Sequence, residues 1–480
     1  MNFSVVRYVI GYVLVAEAAF MALSCIVALI YQEQEGWAFV ITAALCVLMG
    51  GFLLRKKPEN RIFYVKEGFV TVALSWIVLS VMGSIPFLLT KSITNPVDAL
   101  FETVSGFTTT GASILTDVEV LSKSVLFWRS FTHWIGGMGV LVFLLAIVHM
   151  KGGGSHMNLM KAESPGPSVS KLVPTVRSTA KILYLIYVAM TVIEIILLLI
   201  GKMPLFDALT ISFGTAGTGG FGIKNDSMAG YSVYLQVVVT VFMILFGVNF
   251  SAYYLILRRK LKQAFTMEEV RAYILIIVVS IAVIAVMIKD MYGSIGAAVQ
   301  QAAFQVGSII TTTGYATTDF NLWPEVPKTI LVLLMFVGAC AGSTGGGIKV
   351  SRLVILIKTV KKELHTLLHP RSLRKLQMDG HLLEHETVRA TNVFIMAYVL
   401  IFVFSVLLVG FDGHDLITNF TGVAATLNNI GPGLELVGPT QNFSIFSNGA
   451  KLVLIFDMLA GRLEIFPLLL LFVRDTWKKF

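Results

Sequence analysis

The chain has 480 residues, 56% of them hydrophobic and only 14% charged, with a mean hydropathy of +0.81. That balance excludes an ordinary soluble domain, whose surface needs more polar side chains than this sequence supplies. A net charge of +9 would suit a nucleic-acid binder, but the way its basic residues cluster reports membrane topology instead.

Two apolar stretches open the chain, at 5–31 and 36–54, each long enough to cross about 30 Å of hydrocarbon. The first is too long for a secretory leader and lacks its small-residue cleavage site, so it reads as a retained membrane helix. The pair ends in the basic stretch "RKKPENR". From there a unit repeats: a long apolar helix, a short amphiphilic segment closing in a glycine loop, and a long helix returning to a basic stretch. Outgoing helices are expected near 67–90, 179–201, 272–290 and 388–410, and returning ones near 124–150, 232–257, 327–360 and 449–473. Lys and Arg gather at 55–57, 151–181, 258–260, 358–375 and 474–479, while 31–36 and 411–450 carry none. The positive-inside rule then puts both termini on the cytoplasmic side of a cell membrane.

The short segments are "DALFETVSGFTTTGAS" (98–113), "DALTISFGTAGTGGFG" (207–222), "AVQQAAFQVGSIITTTGYA" (298–316) and "DLITNFTGVAATLNNIGPG" (415–433). Gly111, Gly220, Gly314 and Gly431 recur about every 100 residues, which marks a fourfold internal repeat. The expected fold is an all-α polytopic membrane protein with four helix–pore-loop–helix units around one pore, plus an N-terminal transmembrane helix pair. Its units are 1–60, 61–150, 151–260, 261–375 and 376–480. Irregular backbone at membrane depth survives only where protein buries it or where it lines a watery cavity, so four loops of one kind are expected to converge on an axis.

Such a ring suits a dehydrated monovalent cation, because backbone carbonyls can replace its water. The candidate ion-binding residues are Thr109, Thr110 and Gly111, then Thr218, Gly219 and Gly220, then Thr312, Thr313 and Gly314, and finally Asn429, Ile430 and Gly431. Each preceding half-helix would aim the negative end of its dipole at the ion. For a single loop, a glycine-capped helix end is the plainer reading; four in register favour the ring. The threonine hydroxyls either add ligands or brace the loops from behind.

Five glycines fall within "GACAGSTGGG" (338–347), and each costs about 1 kcal/mol in a helix interior. A small-residue packing face accounts for one or two of them, and the run Gly345, Gly346, Gly347 points to a break in the third returning helix. Arg462 lies in an apolar span where a lone charge is expensive, either paired with Asp457 or Glu464 or facing the pore. Lys349 and Arg352 read as cytoplasmic anchors. Glu102, Arg129 and His133 read as buried groups that position the first half-helix, and Asp98 and Asp207 as helix N-caps.

The motifs "FTTTGAS", "GTAGTGGFG", "TTTGYA", "NNIGPG", "FWRSFTHWIGGMGVLVF" (127–143), "MKAESPGP" (160–167), "GACAGSTGGGIKVSR" (338–352) and "MLAGRLEIFPLL" (458–469) closely resemble the Trk/Ktr/HKT superfamily of cation transporters, and within it the bacterial Trk-type potassium-uptake membrane subunits. The resemblance covers nearly the whole chain, although Asn429 and Ile430 depart from the threonine pattern. It implies K+ (or Rb+) selectivity with all four glycines present, one pore per subunit of a homodimer, and a gate formed by the glycine break beneath the filter together with Arg462. It also implies a cytoplasmic nucleotide-binding regulatory ring of RCK type, for which 151–181 and 358–389 are the natural docking stretches. No cofactor, nucleic acid or enzymatic step is expected, and K+ is cargo. The competing readings are a sodium-permeable or Na+/H+-coupled transporter of the same fold, and a membrane metallopeptidase built on His381, Glu384 and His385. The three cysteines, Cys25, Cys46 and Cys340, lie in apolar segments without metal-ligand spacing and read as small hydrophobes.

Overall fold

The computed structural model of the chain describes residues 1–58, 64–139, 176–372 and 375–478. Two helices lead, α1 (Phe3–Tyr31) and α2 (Gly36–Leu54). They pack closely because Gly11 and Gly50 face one another, with only 2.9 Å between a Cβ at Gly50 and the Gly11 carbonyl oxygen. The outer side of the pair is largely apolar and exposed, as a lipid-facing surface must be.

Four units follow. Their outgoing helices are α3 (Val65–Leu89), α6 (Val176–Ile200), α11 (Glu268–Tyr292) and α15 (His385–Val409), each of 25 residues. At 1.5 Å per residue that length reaches about 37 Å, enough to cross. The half-helices are α4 (Pro96–Phe107), α7 (Leu205–Gly217), α12 (Ile295–Ile310) and α16 (Leu416–Leu427). With 12 to 16 residues they end partway through the membrane.

The returning helices differ from the continuous ones expected. α5 (Lys123–Gly137) is followed by residues outside those described, so the expected stretch to 150 lies beyond view. The second is split into α8 (Val233–Phe246) and α9 (Phe250–Leu257), bent by 92°. The short α10 (Leu261–Thr266) follows. The third is split into α13 (Glu325–Val337) and α14 (Val350–Leu368), with the glycine stretch as an irregular loop between them. The fourth, α17 (Asn448–Arg462), stops early, and the short α18 (Phe466–Leu469) and two 3-10 turns, Leu470–Phe472 and Arg474–Thr476, follow it. A two-residue hairpin, β1 (Gln377–Met378) with β2 (His381–Leu382), precedes α15.

Both ends of the chain meet on one side. The Met1 amino group donates to the Lys478 carbonyl at 2.9 Å, and Lys66 Nζ to that of Asp475 at 2.8 Å.

Candidate functional site: a ring of four loops over a broken helix

Every half-helix ends in the same cap. Thr109, Thr218, Thr312 and Asn429 adopt left-handed backbone with φ between 55° and 60°. The amide after each reaches five residues back at 2.8 Å: Thr110 to Ser105, Gly219 to Gly214, Thr313 to Ser308 and Ile430 to Ala425. This is a Schellman closure, which satisfies the orphan carbonyls of a helix end. Its left-handed residue is usually glycine; here a β-branched or amide side chain bears the strain four times. Each loop taken alone is thus a helix-ending turn, but its cap is Thr109, Thr218, Thr312 or Asn429 and not the expected glycine, which comes two residues later.

The glycine that follows makes the ring. Gly111, Gly220, Gly314 and Gly431 have φ of 77°, 71°, 87° and 103°. A Cβ on Gly111 would collide with the Gly219 carbonyl, one on Gly220 with that of Thr313, and one on Gly314 with that of Ile430. At Gly431 it would lie 2.9 Å from the Thr110 carbonyl oxygen. Loop 1 thus abuts loop 2, loop 2 loop 3, loop 3 loop 4 and loop 4 loop 1, which closes a cycle. All four glycines also line one cavity of about 190 Å³, together with Thr440 and Gln441.

The outer threonines brace the loops. Thr108 Oγ1 donates to the Val104 carbonyl at 2.6 Å and lies 2.8 Å from Thr110 Oγ1; Thr311 repeats this with Gly307 and Thr313, both at 2.7 Å. In loop 4, Asn429 Nδ2 takes over, donating to Thr110 Oγ1 at 3.0 Å and to the Met458 carbonyl at 2.8 Å.

Glu102, Arg129 and His133 are buried, as expected, and beyond positioning the first half-helix they join loops 1 and 2 from behind. Glu102 accepts from Arg129 Nε at 2.6 Å and from the Ile114 amide at 3.0 Å. Arg129 Nη1 donates to the Gly222 carbonyl at 2.7 Å while its guanidinium lies 3.6 Å over the Phe221 ring. His133 Nε2 accepts from the Phe221 amide at 3.2 Å, so Nδ1 carries the proton given to the Gly106 carbonyl at 2.8 Å.

The two aspartates do not cap. Asn95 caps α4, since Pro96 fixes the first helical position one residue later, and Asp98 instead pairs with Lys451 at 2.6 Å. Asp207 sits in the first turn of α7, accepting from the Tyr231 hydroxyl at 2.9 Å.

The loop 338–349 passes directly beneath the ring. The Gly346 amide donates to Thr312 Oγ1 at 2.6 Å, and a Cβ at Gly346 would be 2.6 Å from the Asn428 carbonyl oxygen. A Cβ at Gly345 would lie 2.9 Å from that of Thr311. Gly347 has φ 74° and packs on Gly338. Cys340, placed in an apolar segment by its sequence, sits in this loop with its amide bonded to the Gly247 carbonyl at 3.0 Å.

Arg462 points into this junction. It donates from Nη1 to the Thr344 carbonyl at 2.9 Å, and from Nη2 to those of Gly136 and Gly137 at 2.5 and 2.9 Å. Its two expected partners are otherwise engaged: Glu464 pairs with Arg352, and Asp457 accepts from Ser405 Oγ at 2.7 Å. The anchor reading of Lys349 and Arg352 is overturned. Both are buried, Lys349 donating to the Gly345 carbonyl and Arg352 held by Glu464 and by the Phe394 ring at 4.1 Å.

Three further residues escaped the sequence reading. Glu269 Oε1 accepts from the amides of Ala341 at 2.6 Å and Ser351 at 3.1 Å, clamping both flanks of the loop. The Tyr315 hydroxyl donates to the Ile211 carbonyl at 3.1 Å, joining loop 3 to α7, and Tyr398 hydrogen-bonds Asn428 behind loop 4. Only Tyr315 had a signal, its place directly after the repeated glycine. His381 and Glu384 are exposed beside His385, and among the described residues no group of three or more His, Cys, Asp or Glu side chains is placed to hold a metal ion. The motif at 160–167 and most of the 151–181 docking stretch lie outside the described residues.

Comparison with known proteins agrees with this architecture. The sequence model of TrkH, described as a cation transport protein, matches residues 35–479. The chain is similar to the Trk system potassium uptake protein TrkH of Salmonella typhimurium, 37% identical with both chains covered in full. It is 33% identical to the Trk system potassium uptake protein TrkG of Escherichia coli, covering 99% of this chain and 98% of that one. The crystal structure of the potassium transporter TrkH from Vibrio parahaemolyticus superposes with a TM-score of 0.89 at 34% identity, over the whole of both chains.

Proposed function

The chain belongs to the TrkH family of cation transport proteins, and from that premise we propose that it passes K+ across the cell membrane through the four-loop ring. One observation carries the reading: four helix caps of one backbone geometry whose glycines each abut the next loop's carbonyl until the cycle closes. An ion stripped of water takes backbone carbonyls from the triplets at 109–111, 218–220, 312–314 and 429–431. The C-terminal ends of α4, α7, α12 and α16 add negative potential there. The loop 338–349 obstructs the path below, and Arg462 ties it shut.

Ions move down their electrochemical gradient, and control comes from a partner. A nucleotide-binding regulatory ring of RCK type docks on the basic side, which faces the cytoplasm with both termini, and the subunit works as a homodimer. A second reading, a sodium-permeable or Na+/H+-coupled transporter, draws support from loop 4, where Asn429 and Ile430 break the threonine pattern and Gly431 sits less tightly against its neighbour.

Cation flux into liposomes tests both, comparing K+, Rb+, Na+ and Li+ with the Gly314→Ser variant alongside. Passage of K+ and Rb+ over Na+, degraded in the variant, is expected. Equal passage of all four ions, or a variant matching its parent, would remove the ring from the conduction path.

A further inference from the structure

On the basic side, away from the ring, a cavity of about 1020 Å³ opens between α9, α10, the start of α11 and the 377–382 hairpin. Three full cations line it, Arg258, Lys260 and Arg271, together with His381. Two carboxylates line it as well; Lys358 neutralises Glu268, and Asp379 keeps its charge against the three cations. Glu268 pairs with Lys358 and accepts from the Asp379 amide at 3.0 Å, and Asp379 Oδ1 accepts from the Glu268 amide at 2.6 Å. The cavity is left with a cationic lining, and an anion is what complements it.

The rim identifies the kind of anion. On α11, Ile274, Leu275 and Val278 are exposed three, four and seven positions beyond Arg271, so they continue the same face away from the cavity. Cations grade directly into a strip of apolar surface. A free phosphate has no use for that strip, whereas an amphiphile with a phosphate at one end does.

We propose that this cavity binds the phosphate headgroup of an anionic phospholipid from the leaflet on the basic side, held by Arg258, Lys260 and Arg271, with its acyl chains along α11. Each cation near such a headgroup is worth roughly fivefold in binding, so three contribute roughly a hundredfold.

The test is native mass spectrometry of the full chain released from phosphatidylcholine nanodiscs doped with phosphatidylglycerol. The parent is expected to retain phosphatidylglycerol preferentially, and the Arg258→Gln, Lys260→Gln, Arg271→Gln variant to lose that preference roughly a hundredfold. A control carrying Lys361→Gln, Arg371→Gln and Lys375→Gln, which removes three exposed charges outside the cavity, is expected to behave as the parent. Lys260→Gln alone, in the exposed turn between α9 and α10, is expected to lose roughly fivefold, so a folding defect in the triple variant leaves the idea open to refutation. Retention unchanged by the cavity substitutions, or reduced equally by the control, would overturn the site. Displacement of the lipid by millimolar inorganic phosphate would overturn the lipid assignment in favour of a free anion.

Discussion

Arg462 donates to the carbonyl of Thr344 at 2.9 Å and so ties the end of α17 to the loop that crosses beneath the ring. The same guanidinium holds Gly136 and Gly137 at the end of α5, so one side chain joins three segments that converge beneath the ring. A charged hydrogen bond is worth about 1.5–3 kcal/mol, and each 1.4 kcal/mol is about tenfold in an equilibrium. Arg462→Gln is therefore expected to raise K+ flux in proteoliposomes at least about tenfold in the absence of any partner. Arg462→Lys separates a tether from a plain charge barrier, because lysine keeps the charge but cannot span both sets of carbonyls. A tether makes lysine resemble glutamine; a lysine variant as closed as the parent would sink it.

Glu102 and Arg129 form a buried pair behind loops 1 and 2, and the penalty for breaking it depends on which partner is removed. Arg129→Met leaves a carboxylate without its counter-charge, at a cost of about 3–5 kcal/mol. Glu102→Gln removes the counter-charge of Arg129, but the guanidinium keeps the Gly222 carbonyl and the Phe221 ring, so its loss should be smaller. Thermal unfolding in detergent is expected to rank the parent above Glu102→Gln, and that above Arg129→Met. The reverse order would show that the pair does not brace the loops.

The repeat was legible because a glycine at positive φ against a neighbour's backbone admits no other residue, and four such positions spaced alike leave a pattern in the sequence. The direction of each contact was not legible, since no local feature says that Gly111 meets Gly219 rather than Thr313. The break between α8 and α9 was hidden by hydropathy: 233–257 is almost continuously apolar, and only Gly247 and Asn249 mark the bend. Lys349 and Arg352 misled for a related reason. Basic residues after a glycine loop look like headgroup anchors until Glu464 arrives from the next unit to neutralise one of them. Asp98 lost the cap to Asn95 through the proline beside it, a local rule that sequence alone supplied.

Glu269 reaches the amides of Ala341 and Ser351, one in the loop and one at the start of α14. Glu269→Ala would strand two buried N–H groups, each costing about 1–3 kcal/mol. Amide hydrogen exchange across 338–349 is expected to quicken in this variant while exchange in α1 and α2 stays at the parent's rate. Uniform quickening would mean general destabilisation, and no change would mean the loop is held without this carboxylate.

Asp415 caps α16, its Oδ2 accepting the Thr418 amide at 2.9 Å and its Oδ1 the Thr418 hydroxyl at 2.5 Å. The Thr418 hydroxyl, and then the amide, hold this carboxyl below its usual range. A carboxyl depressed in the folded state stabilises fully above its unfolded value of about 3.9, and that contribution is lost as pH falls through the folded value. Thr418 Oγ1 also accepts the Leu436 amide at 3.3 Å, so the cap steadies the chain that leaves loop 4. Asp415→Ala is expected to cost about 1 kcal/mol at pH 7, and Asp415→Asn far less, because asparagine keeps the acceptor. Thermal stability followed from pH 7 down to about pH 3 should narrow the gap between the parent and the alanine variant as protonation of the carboxylate sets in, without closing it, because the neutral acid keeps an acceptor oxygen for Thr418. A gap that stays constant over that range would place the stabilisation in the side chain's packing and not in its charge.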